Sequence, residues 1–97
     1  MRKYYATINE YNQPTIIEFD AKEDKYFYTV LSKKPLLNDA HLETKFSKLY
    51  ASDIFDTLDG AVEHLVTTYK HRIAVFESDI QNARTYITEL RVFQCVN

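Results

Sequence analysis

Glycine is almost missing from this chain. Its one copy, Gly60, excludes a glycine-rich loop of the kind that cradles phosphates, because such loops need several residues without a Cβ. Between Ala61 and the last residue there is no glycine and no proline, so nothing there breaks a helix or forces a turn. Cysteine is equally scarce. Cys95 stands alone, which excludes an internal disulfide and fits a reducing compartment. No basic-then-apolar leader and no apolar run of about twenty residues is present, and the expectation is a soluble protein of the cytoplasm. A strong charge of either sign is lacking too: the net charge of −2 argues against a dedicated nucleic-acid binder and against a carboxylate-coated mimic of DNA.

What the chain does have is rings. Eight tyrosines and six phenylalanines in 97 residues supply much buried area per side chain, which suits a single small domain that can bury only about two-thirds of its unfolded surface.

The longest pattern predicts one helix over residues 57–93. Leu58, Val62, Leu65, Tyr69, Ile73, Phe76, Ile80, Ala83, Ile87 and Leu90 follow one another in steps of three and four, which keeps them on one side of a helix. At roughly 1.5 Å per residue this is a rod of about 55 Å. Ala61 and Val66 widen its apolar face in the first half, as expected of a helix bedded on a sheet. From Ile73 onward the face narrows to a coiled-coil-like seam, with Ile73, Ile80 and Ile87 at heptad position a and Phe76, Ala83 and Leu90 at d. The step through Tyr69 is a stutter that unwinds the seam locally. In a parallel homodimer the flanking g and e positions then pair Arg72 with Glu77, Asp79 with Arg84, and Tyr86 with Arg91. A break at Thr67-Thr68, giving an antiparallel hairpin, is the alternative.

Residues 1–56 predict an antiparallel sheet of three to four strands packed on the helix's first half, an α+β fold. Lys3–Asn9 alternates Tyr4, Ala6 and Ile8 against Tyr5, Thr7 and Asn9. Thr15–Ala21 and Tyr26–Ser32 follow after short connections, the second of them Lys22–Lys25, so a meander is the economical topology. Lys33-Lys34-Pro35 should end the third strand, with a loop from Leu36 to Glu43. Thr44–Tyr50 sets Phe46 and Tyr50 against lysines as a fourth strand, and Ser52–Phe55 either extends it or makes a helical turn. Asp56 or Thr57 can cap the helix, although Gly60 stands where a full capping box has glutamate.

The segment Ile54–Leu65, an aromatic, then threonine, then alanine four residues on, resembles the helix start of small uncharacterised accessory proteins of Gram-positive phages and prophages, which combine a β-meander with a long C-terminal helix. The resemblance covers most of the chain, with Gly60 replacing a usual acidic residue and a tail less charged than is typical. It implies an accessory role in a bacterial host cell, and anti-CRISPR proteins are the most concrete class. Those share no common motif, so no residue is carried over as an inhibitory site.

Site candidates fall into three groups. The seam residues Ile73, Phe76, Ile80, Ala83, Ile87 and Leu90 form the expected dimer interface. Asp53, Asp56, Asp59 and Glu63 make an acidic docking patch or simply compensate the helix dipole, with acid–base chemistry behind both. Tyr4, Tyr26 and Tyr28, with Lys3, Lys25, Lys33 and Lys34 nearby, form an aromatic, basic-rimmed sheet face that would stack single-stranded nucleic acid or serve as a protein-binding hot spot, unless the rings are simply packed. His64 and His71 are about 10 Å apart along the axis, too far to share an ion, and His41 has too few ligands around it. No metal or cofactor is expected. The expectation is a non-enzymatic protein that binds another protein stoichiometrically, most concretely an anti-CRISPR inhibitor of an effector nuclease. The alternative is a small nucleic-acid-binding regulator.

Overall fold

The computed structural model describes residues 1–96. It is an α+β fold, a five-stranded antiparallel sheet and one long C-terminal helix. The strands are β1 (Arg2–Ile8), β2 (Pro14–Glu23), β3 (Phe27–Leu37), β4 (Lys45–Ser47) and β5 (Ile54–Phe55), and the helix is α1 (Leu58–Val96). Their order across the sheet is β4-β3-β2-β1-β5. The expected meander is therefore present at the centre, flanked by a short strand on each edge. The residues gather into two compact units, Met1–Val66 and a second that begins at Thr67.

In the first unit β2 is the central strand, and alternation sends its side chains into two cores. Ile16 points to a cluster with Ala6, Ala61 and Leu65, edged by Tyr4, Ile8 and Phe55. Its neighbours Ile17, Phe19 and Ala21 point the other way, to a cluster closed by Leu42 and edged by Tyr5, Tyr28, Val30, Phe46 and Ile54. Ala61 and Leu65 on the first turns of the helix close one core, and Leu42 in a strap, residues 38–44, closes the other. Thr15 is fully buried, and its hydroxyl is satisfied by donating to the Thr7 carbonyl at 3.0 Å.

Several local expectations are corrected. β3 does not end at Lys33-Lys34-Pro35 but runs through it, with Pro35 opposite Ile17. β4 pairs only with Phe27, Tyr28 and Thr29, so β3 is an edge strand by residue 35, where a missing N–H is tolerated. Two register shifts make this possible. Ile16 faces Leu37 and Ile17 faces Pro35, while Asp20 faces Ser32 and Ala21 faces Val30. Leu36 and Leu31 are thus the extra residues of two bulges, which add twist and turn both leucines outward. The fourth strand is confined to Lys45–Ser47, followed by a 3-10 turn, Lys48–Tyr50, capped by the Ser47 hydroxyl. The Tyr50 side chain, part of that strand's expected alternation, lies outside the described residues. Ser52–Phe55 contributes a fifth strand, two residues that pair with Tyr4 and Tyr5.

The cap is Thr57, whose Oγ1 accepts from the Gly60 amide at 3.0 Å. This is the hydroxyl half of a capping box; a Cβ on Gly60 would sit 3.1 Å from that hydroxyl, a tight contact that a glutamate there would have to relax. The sheet-facing line of the helix is also narrower than expected. Ala61 and Leu65 are buried, whereas Leu58, Val62 and Val66 are each about two-fifths exposed. Ala6 and Ala61, both fully buried in one cluster, let backbones approach closely, and the larger side chains are left on the flanks.

The second unit is helix. No break occurs at Thr67-Thr68, so the hairpin alternative does not form; two residues of weak propensity cost about 1 kcal/mol together, too little to interrupt a long helix. The Thr85 and Thr88 hydroxyls donate to the Gln81 and Arg84 carbonyls, one turn back. Among the described residues no helix is long and apolar enough to cross a membrane.

Leu65→Ala should lower stability by about 2–4 kcal/mol in urea unfolding, because its cavity opens between helix and sheet. Thr57→Ala should cost about 1 kcal/mol through the lost cap.

Candidate functional site

The aromatic face expected from the sequence is divided. Tyr4 packs on the helix side of the sheet and Tyr28 on the strap side. Register separates them as well, since Tyr4 lies opposite Glu18, which faces Lys34, whereas Tyr28 faces Glu23 near the other end of β2. Tyr26 is exposed in the turn before β3, with the Lys25 ammonium 5.3 Å from its ring. Lys33 and Lys34 are exposed on β3. Alternation explains the division: same parity in two antiparallel strands does not mean same face when bulges intervene.

Tyr28 is instead the centre of a charge-paired cluster. Its ring lies 5.5 Å from Phe46, with the Lys3 ammonium at 5.9 Å and the Lys48 ammonium at 5.2 Å. Lys3 is hydrogen-bonded to Asp56, and Lys48 to Glu23 at 2.5 Å. The hydrogen bond from Lys3 to Asp56 holds the Lys3 ammonium above the usual lysine range, against the opposing effect of partial burial. Both cations near this ring are therefore neutralised within the chain. That leaves no basic rim for a nucleic-acid strand at Tyr28.

The four helix-start carboxylates are also separated. Asp56 is taken by Lys3. Asp53 lies 3.8 Å from His64 Nε2, and its backbone carbonyl accepts from the Ala6 amide at 3.0 Å. The His64 ring rests 4.9 Å from Phe55. Asp59 and Glu63 are exposed on the first turns of α1, where they complement the dipole. A different carboxylate holds the β2–β3 turn: Asp24 Oδ1 accepts from the Tyr26 and Phe27 amides at 2.8 and 2.6 Å, which hold its carboxyl below the usual range.

The strap creates two hollows on the sheet. One, about 280 Å³, is lined by Tyr5, Leu42, Phe46 and Ile54, with His41, Glu43 and Asp53 among its walls. The other, about 390 Å³, shares Tyr5 and His41 and adds Glu10, Tyr11 and Asp39. The sequence set His41 in a loop and Asp53 in a separate acidic patch at the helix start, because the Leu36–Glu43 segment has no periodicity that would bring them together. The available signal was Leu42, one apolar residue among polar neighbours, which the structure uses to pin the strap. Among the described residues no three His, Cys, Asp or Glu side chains converge in a way that could hold a metal ion.

In the second unit the seam residues remain uncovered. Ile73 is 55%, Phe76 63%, Ile80 51%, Ile87 53% and Leu90 66% exposed, and Ala83 is exposed beside them. Arg72, one of the flanking charges, lies 5.9 Å from the Tyr69 ring. No protein-family model, curated protein or solved structure matches the chain.

Lys3→Met should abolish one component of alkaline unfolding. A raised lysine pKa contributes stability that is fully present below the unfolded value of about 10.4 and is lost as pH rises through the folded value. Urea midpoints measured from pH 8 to 12 should therefore fall less steeply in the variant than in the parent.

Proposed function

We propose that this chain is a non-enzymatic cytoplasmic protein that pairs with a second copy through the C-terminal half of α1 and acts by stoichiometric binding to another protein. The observation that carries the reading is the uncovered stripe. Five large side chains at heptad spacing stand more than half exposed on one helix, and surface of that kind marks an association site. Ala83 sits at the one thin layer, and isoleucine at each a position favours two strands.

The charges beside the stripe favour a parallel second copy. In that arrangement Arg72 meets Glu77, Asp79 meets Arg84 and Tyr86 meets Arg91, each contact made twice by symmetry. Surface ion pairs contribute about 0.2–1 kcal/mol apiece, so they select orientation while the apolar seam supplies most of the affinity.

The most concrete form of the reading is a phage-encoded anti-CRISPR protein that inhibits an effector nuclease in a bacterial host. Its support is the likeness of Ile54–Leu65 to the helix start of phage accessory proteins. A second reading, a small nucleic-acid-binding regulator, keeps Tyr26 with Lys25 as an exposed ring and cation, but Tyr4 and Tyr28 do not join them. Salt-dependent retention of short single strands would favour that reading, with Tyr26→Ala abolishing it.

Ile80→Asp combined with Ile87→Asp should convert a dimer to a monomer in light scattering without lowering the unfolding temperature of the sheet unit. An unchanged mass would remove self-association from the reading.

A further inference from the structure

The two hollows beside the strap share an electrostatic property that their surroundings do not. Glu43 and Asp53 line the first, Glu10 and Asp39 the second, and Tyr5 and His41 line both. Not one of the chain's 12 lysines and arginines lines either. The lysines beside the Tyr28 ring, Lys3 and Lys48, are engaged by Asp56 and Glu23, and Lys45, next to Phe46 in the chain, holds its ammonium 4.7 Å from the Phe27 ring. Among the described residues none of the four lining carboxylates is paired with a lysine or arginine. Asp53 faces His64, a partner that is charged only when protonated.

We propose that the two hollows form one docking site for an arginine-bearing segment of the partner protein, with one guanidinium on each side of the strap. This rests on reading the chain as a protein-binding factor and names where, and with what chemistry, the partner is held. The hollows, at about 280 and 390 Å³, each have room for one long side chain. The walls of the first meet both halves of an arginine. Its lining holds Leu42 and Ile54 for the apolar stem, the aromatic side chains Tyr5 and Phe46 for the guanidinium, and Glu43 and Asp53 as acceptors. Lysine lacks the planar fork that stacks and hydrogen-bonds together. Two arginines separated by one residue in an extended segment point the same way about 7 Å apart, enough to straddle one strand of backbone.

The test is a titration of the isotope-labelled full-length chain, followed by backbone amide shifts, with the peptide acetyl-Gly-Arg-Gly-Arg-Gly-amide at about 100 mM salt. A counterpart with citrulline in place of both arginines keeps the shape and removes the charge. The arginine peptide should give saturable shifts at Tyr5, His41, Glu43 and Ile54, with a dissociation constant of about 0.1–1 mM. Glu43→Gln with Asp53→Asn should weaken it by about tenfold or more, and so should Glu10→Gln with Asp39→Asn, whose surface positions leave the fold intact. Asp59→Asn with Glu63→Gln should change nothing. Equal binding of the citrulline peptide, shifts centred on Asp59 and Glu63, or no saturation by about 10 mM would each overturn the site. Saturation by free arginine or spermidine at the same concentration would overturn the protein segment as its occupant. Repeating the titration on the Ile80→Asp, Ile87→Asp variant separates this outcome from that of self-association, because shifts at the strap are read whatever the mass.

Discussion

Two consecutive isoleucines hold the sheet unit together. Ile16 and Ile17 are neighbours in β2, so the pleat aims one at the helix and the other at the strap, and both are almost wholly buried. A small sheet with one wet face would leave half its rings exposed to water. Here a helix start covers one side and a pinned loop covers the other, which is how a short chain makes two cores from one strand. Each core is thin. Ala6 against Ala61 and Ala21 beneath Leu42 show the same economy, small residues that let covering elements come close.

Charge follows the same division of labour. The two ammonium groups beside the Tyr28 ring, Lys3 and Lys48, each have an internal carboxylate, so that part of the surface is settled by the chain itself. Around the strap the carboxylates have no such counterparts. The distinction separates structural electrostatics from surface available to another molecule, and it would be invisible in a count, since the formal net charge is only −2.

Much of the architecture was legible because its signals are periodic. Three- and four-residue steps marked α1, and alternation marked the first three strands. What was not legible depended on residues acting at a distance. Pro35 reads as a terminator, yet bulges at Leu31 and Leu36 carry β3 past it. Ile54-Phe55 is too short to show a period and becomes a strand only because Tyr4 and Tyr5 offer an open edge. The aromatic patch failed for the same reason: Tyr4 and Tyr28 have matching parity, and only the register shows that they face opposite cores. Leu42 was the one local cue to the strap, and the hollows beside it had none, since Tyr5, Glu43 and Asp53 meet through folding alone.

The uncovered edge of β3 has a further consequence for how the protein behaves in a crowded cell. Beyond Val30, whose amide donates to Thr44, that strand offers backbone groups that invite another strand to add on, the first event in fibril growth. Lys33, Lys34 and Pro35 stand along this stretch, a pair of repelling charges beside a residue with no donor, and two bulges twist it out of flatness. The edge is thereby made a poor template for amyloid-like stacking, which directs adhesion between copies away from the sheet.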